Sequence, residues 1–124
     1  MILHEKQCIP FKKGTLPLLR HQWDEFLPQL NDGWKVIPGH MKGKKVAWKN
    51  PSWNNGDHLE RTWEFKDFQS ALDFVNAAGA VCEEQSHHAE FDFGWGRAKV
   101  MIWTHVIGGL TESDFVLASK LDQL

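Results

Sequence analysis

The sequence predicts an α+β fold, a four-stranded antiparallel sheet with helices packed on one face, in the order helix–strand–strand–helix–strand–strand–helix. Three observations carry this. Residues 59–65 alternate apolar and polar side chains with the period of two expected of a half-buried strand. Residues 68–82 set apolar side chains along one helical face, behind an aspartate able to cap it. Residues 90–95 and 99–104 read as two strands joined around Gly94 and Gly96, which suits neighbouring antiparallel strands.

Taken in order, the first element is a helix over residues 17–30. Pro17 suits a first helical position, and Leu19, Trp23, Phe26, Leu27 and Leu30 recur at three- and four-residue spacing, with Pro28 ending the regular part early. Asn31-Asp32-Gly33 stops it, and Trp34–Ile37 forms a short strand before Pro38-Gly39. Residues 39–57 are irregular, with a basic tract at Lys42–Lys45 that reads as solvated surface. The second strand follows, with Leu59, Arg61, Trp63 and Phe65 on one side. Asp67 then caps a helix whose buried face holds Phe68, Ala71, Leu72, Val75, Ala78 and Cys82, and which ends near Ser86-His87. Gly79 gives room there for another helix. In the last strand Val100, Ile102 and Thr104 face one way and Met101, Trp103 and His105 the other. Gly108-Gly109 breaks the chain, and Thr111-Glu112-Ser113-Asp114 resembles a capping box opening a helix striped by Leu117, Leu121 and Leu124.

Residues 1–124 are long enough for one domain and one modest core, with the irregular stretch at about 39–57 as an insertion. A net charge of −2 gives no field favouring nucleic acid or an anionic membrane. The start lacks the apolar run of a signal peptide, and no stretch approaches the roughly 18 apolar residues that cross a bilayer. Cys8 and Cys82, the only cysteines, lack CxxC spacing and fit reduced thiols in the cytoplasm, with a disulfide between them left open. Seven tryptophans accompany no tyrosine, and packing accounts for most of them.

Chemistry concentrates between Glu83 and Asp114. Glu83 is followed after three residues by His87-His88, then by Trp95, by His105 after nine intervening residues, and by Asp114 after eight more. Imidazole titrates near neutrality, so sites needing both a proton donor and an acceptor are often built from it. Each residue alone has a plainer reading. A His-His pair at a helix end often caps it, Asp114 completes the Thr111 cap, and Glu83 is an exposed helix residue that can orient His87 one turn on. Trp95 reads as packing. Zinc is the rival use for three histidines, but adjacent helical residues point about 100° apart, which makes joint chelation awkward.

Taken together, Glu83, His87, His88, Ala89, Trp95, His105 and Asp114 resemble the signature of the pterin-4a-carbinolamine dehydratases. Cys8-Ile9-Pro10, Gly33-Trp34, Phe65–Phe68, Thr104-His105 and Gly109–Glu112 look like further landmarks of that family. The resemblance covers nearly the whole chain outside residues 39–57. It implies a hydro-lyase that removes water from a 4a-hydroxytetrahydropterin to give quinonoid dihydropterin, recycling the pterin of an aromatic amino acid hydroxylase. No cofactor and no metal are implied. His87 and His105 would exchange protons with the departing hydroxyl and the ring nitrogen, and His88 would bind and orient the pterin. Ser86 and Trp103, Thr104, His105 and Val106 would line the site, with Glu83 and Asp114 in support and Asp114 holding an imidazole in one tautomer or charge state. Ala89 stands where most members have proline, and Trp103 where many have a small hydroxyl residue. A homodimer or homotetramer is implied, without nucleic acid or membrane as partner. The alternative on the same fold is a non-catalytic binding or assembly factor, of the transcription-factor dimerisation or Rubisco-assembly type. For it the helix face around Ala78, Gly79 and Cys82 could offer an interface, while Trp48 and Trp53, or a second subunit, could cover the sheet face of Met101 and Trp103.

Overall fold

A computed structural model describes residues 2–39 and 56–124. The elements are α1 (Arg20–Trp23), β1 (Lys35–Ile37), β2 (His58–Glu64), α2 (Phe68–Gln85), β3 (Glu90–Gly94), β4 (Arg97–Ile102) and α3 (Glu112–Leu121), with single 3-10 turns at Leu3–Glu5 and Leu27–Gln29. The strands form one antiparallel sheet in the order β1-β2-β4-β3. The expected α+β architecture is therefore present, with helices against one sheet face.

Register explains which face they take. Leu59 pairs with Ile102 and Val36 with Leu59, while Phe91 and Arg61 flank Val100. Leu59, Ala98, Val100 and Ile102 are fully buried, so this alternation is the core side. Against it lies α3, whose Phe115, Leu117 and Ala118 are also inaccessible. The opposite face carries Lys35, Glu60, Thr62, Met101, Lys99, Glu90 and Asp92. The expected alternation holds along β4 and the residues just after it: Thr104 is buried with Val100 and Ile102, whereas Met101 and Trp103 are half-buried and His105 is exposed.

Helix α2 runs as its sequence suggests. The Asp67 side chain accepts the Ser70 N–H at 2.8 Å, and Ala71, Ala78 and Cys82 are buried. Phe68 differs: at the first helical position it is 43% exposed, its ring beside Phe93 rather than in the core. No atom comes within 4 Å of a Cβ built on Gly79, so no second helix approaches there among the described residues. Ala78 and Cys82 belong to the chain's own core, which removes them from any interface. In α3 the Leu117 and Leu121 stripe is buried but Leu124, beyond the helix, is 56% exposed.

The helix expected over residues 17–30 is not continuous. It is reduced to the single turn of α1 and a later 3-10 turn. Pro17 is buried, and the next N–H, of Leu18, donates to the Leu110 carbonyl at 2.8 Å, which holds this stretch extended. The Leu19 N–H is taken by the Gln22 side chain at 2.7 Å, and Pro28 has no N–H to extend a helix. Trp23, Phe26, Leu27 and Leu30 still pack on the core, so their spacing serves burial without a regular helix. The last strand begins two residues earlier than expected, because the turn between β3 and β4 is only Trp95-Gly96. Gly96 has φ +75°, and its carbonyl accepts the Phe65 N–H at 2.8 Å. Trp95, expected to pack, is 74% exposed at this tip. The insertion at 39–57, with Trp48, Trp53 and Lys42–Lys45, falls almost wholly outside the described residues.

Candidate active site

Helix α2 ends in a Schellman motif. The Ser86 N–H donates to the Glu83 carbonyl and the His87 N–H to the Cys82 carbonyl, each at 3.2 Å. Such a motif requires a left-handed residue, and Ser86 takes that conformation at φ 52°, ψ 37°. It is the one non-glycine at positive φ among the described residues. Strain of this kind, on the order of 1–3 kcal/mol, clusters at functional sites.

Because Ser86 turns the chain off its helical path, the two histidines do not follow helical spacing. His87 Nε2 lies 2.6 Å from Asp114 Oδ1, and His88 Nε2 lies 2.5 Å from Glu83 Oε2. Glu83 thus orients His88, not His87 as the i, i+4 spacing suggested.

Asp114 has no exposed surface. It stands third in α3, where its Oδ2 accepts the Thr111 N–H at 2.8 Å and the Thr104 hydroxyl at 2.8 Å. The Thr104 and Thr111 hydroxyl oxygens are 2.9 Å apart. Thr104 has a single hydroxyl proton, directed at Asp114, so Thr111 must donate to Thr104. Three donors therefore converge on one carboxylate at the positive end of a helix, a setting made for an acceptor-only anion. With Nε2–H engaged by Asp114, His87 keeps Nδ1, which no described residue hydrogen-bonds.

Beyond β4 the chain continues through Trp103, Thr104, His105 and Val106, then returns where the Thr104 N–H meets the Gly109 carbonyl at 2.9 Å. Thr104 faces inward to Asp114. The His105 ring stands edge-on to Trp103, centroids 4.5 Å apart, with Glu90 Oε2 a loose 3.9 Å from its Nε2.

A cleft of about 250 Å³ joins these segments. Ser86, His87 and His88 form one side and Trp103, Thr104, His105 and Val106 another. All seven residues expected to line the site meet there. Glu83 and Asp114 do not line it, standing behind His88 and His87. The third side is Ile9, Pro10 and Phe11, which sequence reasoning missed as site residues. The Cys8-Ile9-Pro10 landmark was the available signal. Thr104 also has an inward task that its place in the motif did not reveal. At Cys8, next to this side, burial, then the Asp114 charge, push the thiol up to about 12, which disfavours the nucleophilic thiolate. Among the described residues no group of three His, Cys, Asp or Glu side chains could hold a metal ion, and no helix is long and apolar enough to cross a membrane.

Known proteins share this arrangement of chain. The family model described as pterin 4 alpha carbinolamine dehydratase matches residues 17–124. A protein of Rubrobacter xylanophilus named as a pterin-4-alpha-carbinolamine dehydratase is 43% identical, over 98% of this chain and 97% of its own. One of Alkaliphilus metalliredigens bearing the same name is 39% identical, over 98% of this chain and 94% of its own. The crystal structure of a transcriptional coactivator/pterin dehydratase from Brucella melitensis superposes with a TM-score of 0.64 at 28% identity, covering 86% of this chain and 96% of that one. The chain belongs to the pterin 4 alpha carbinolamine dehydratase family.

Proposed function

We propose that the chain removes water from a 4a-hydroxytetrahydropterin, giving quinonoid dihydropterin by histidine acid–base catalysis. The observation that carries this is a single cleft in which His87, backed by the buried Asp114, shares walls with His88 and His105. Family membership supplies the substrate class.

The elimination breaks the bond from the saturated ring carbon to its hydroxyl and removes a proton from the adjacent ring nitrogen. No oxidation state changes, so no redox partner is needed. His87, with Nε2–H donated to Asp114, presents Nδ1 as the acceptor for the nitrogen's proton, and the carboxylate stabilises the imidazolium that forms. His105, half exposed and beside Glu90, delivers a proton to the departing hydroxyl. His88, held by Glu83, orients the ring. Thr104 and Asp114 act through His87 as positioning residues.

Within the cell this activity would serve an aromatic amino acid hydroxylase by returning its oxidised pterin, in the cytoplasm, where Cys8 and Cys82 stay as free thiols. A homodimer or homotetramer fits a sheet face bearing Met101 and Trp103, and light scattering that shows only monomer at micromolar concentration removes that part.

Stopped-flow decay of 4a-hydroxytetrahydropterin tests the activity itself. Purified protein should accelerate decay, and His87→Ala or His105→Ala should each slow the catalysed step about 10²–10⁴-fold with the fold intact. Pterin binding without turnover would instead select the non-catalytic binding or assembly class.

A further inference from the structure

An N-terminal stretch of this length is ordinarily loose unless something ties it down. Here residues 8 and 9 are tied by buried side chains. Ser113, 1% exposed, accepts the Ile9 N–H and donates to the Ile9 carbonyl, both at 2.9 Å. Gln85, 7% exposed, accepts the Cys8 N–H at 2.8 Å. An ion pair between Lys6 and Glu112 and a bond from Lys120 to the His4 carbonyl, at 2.9 Å, extend the attachment.

The anchors are telling. Gln85 is the last residue of α2, two before His87, and Ser113 precedes Asp114 in α3. The segment is thus registered to the two helix ends that place His87 and Asp114. Yet with its backbone fixed, Ile9 leaves its side chain 58% exposed at the cleft, and Val106 on the facing side is 51% exposed. Phe11 is half-buried on the same wall. A fixed backbone presenting uncovered apolar side chains to a cavity is the build of a ligand wall: mostly apolar, pre-formed, with polar groups elsewhere.

We propose that Ile9, Pro10 and Phe11 form the wall that grips the flat face of the pterin ring system, contributing affinity and no proton transfer, with Ser113 as the residue that positions it. This deepens the dehydratase reading and rests on it. The wall lies before residue 17, where the family match begins.

Titration calorimetry with dihydrobiopterin, a stable dihydropterin, reads the wall without turnover, and stopped-flow kinetics on the same variants gives KM and kcat. Phe11→Ala should raise the dissociation constant and KM together about tenfold, as expected for removing one large apolar contact, with kcat held. Phe11→Leu should recover most of the loss. Ser113→Ala, which leaves every wall side chain in place, should weaken binding several-fold by freeing the segment, and a cooperative thermal melt confirms each variant folded. Wild-type affinity in both Phe11→Ala and Ile9→Ser overturns the wall, as does a fall in kcat at unchanged affinity. A wild-type protein that neither binds dihydrobiopterin nor speeds decay overturns the dehydratase reading, and the wall with it. Binding and turnover by the wild type, with indifferent wall variants, overturns the wall alone.

Discussion

Asp114 reaches His87 through one oxygen, Oδ1, because the other is already engaged. Oδ2 takes the Thr111 N–H and the Thr104 hydroxyl, and Thr111 in turn donates to Thr104. The Thr104 hydroxyl therefore points to the carboxylate and the Thr111 hydroxyl to Thr104, while the remaining oxygen, Oδ1, is left as an acceptor facing His87 Nε2. Cap and site are one object here. The carboxylate that caps the start of α3 also meets the imidazole of His87, just past the end of α2.

Thr104→Val tests that coupling. Valine matches the shape of threonine but withdraws one donor from a buried carboxylate, which should cost about 1–3 kcal/mol of stability. The same change loosens Asp114 and so His87, and kcat should fall while KM holds. Thr104→Ser restores the donor and should restore kcat. A valine variant with wild-type turnover would separate the cap from the chemistry.

Ser86→Gly should stabilise the protein. Left-handed backbone at this position costs serine on the order of 1 kcal/mol more than glycine, and both Schellman hydrogen bonds survive the change. A rise in the urea midpoint at unchanged slope is the expected outcome. A fall would mean that the serine hydroxyl contributes more than its backbone strain.

Much of this was readable from residues near in sequence. The Asp67 cap, the apolar face of α2 and the alternation of β2 are local signals, and local hydrogen bonds and one sheet face enforce them. The lining of the cleft was legible too, because Ser86–His88 and Trp103–Val106 sit at element ends whose positions follow from those elements. What escaped depends on bonds distant in sequence. Leu18 pairs with Leu110, which keeps the expected first helix from starting at Pro17. Ser113 and Gln85 bind Ile9 and Cys8, which brings an N-terminal segment to the edge of the cleft. The Glu83 assignment failed for a local reason of another kind. Helical spacing was extended through Ser86, where the backbone is no longer helical.

Asp67 gives a pH signature to the start of α2. The Ser70 backbone N–H, and then its side chain, hold the carboxyl below its usual 3.8. A depressed folded value means stability that is present above pH 3.8 and lost as pH falls through the folded value. Asp67→Asn keeps a capping oxygen but carries no such proton linkage. Melting temperatures measured downward from pH 5 should therefore fall more steeply for the wild type than for the variant, and parallel curves would remove the linkage.

The alkaline side belongs to the thiols. Burial, then the charge of Asp114, raise Cys8 from 9.0 to about 12, and burial raises Cys82 in the same direction. For a group whose folded value lies above its unfolded one, stability is complete below the unfolded value and drains away as pH climbs toward the folded one. The window for Cys8 is therefore from pH 9 to about 12. The chain has no tyrosine, so no phenolate overlaps thiolate absorbance in the ultraviolet, and the thiols can be titrated directly. Native protein should gain thiolate absorbance only well above pH 9, and protein in urea near it. Cys8→Ala should flatten the decline in the urea midpoint across that window, whereas an unchanged decline, or native thiolate appearing at pH 9, would show that the thiol beside the cleft wall is open to water.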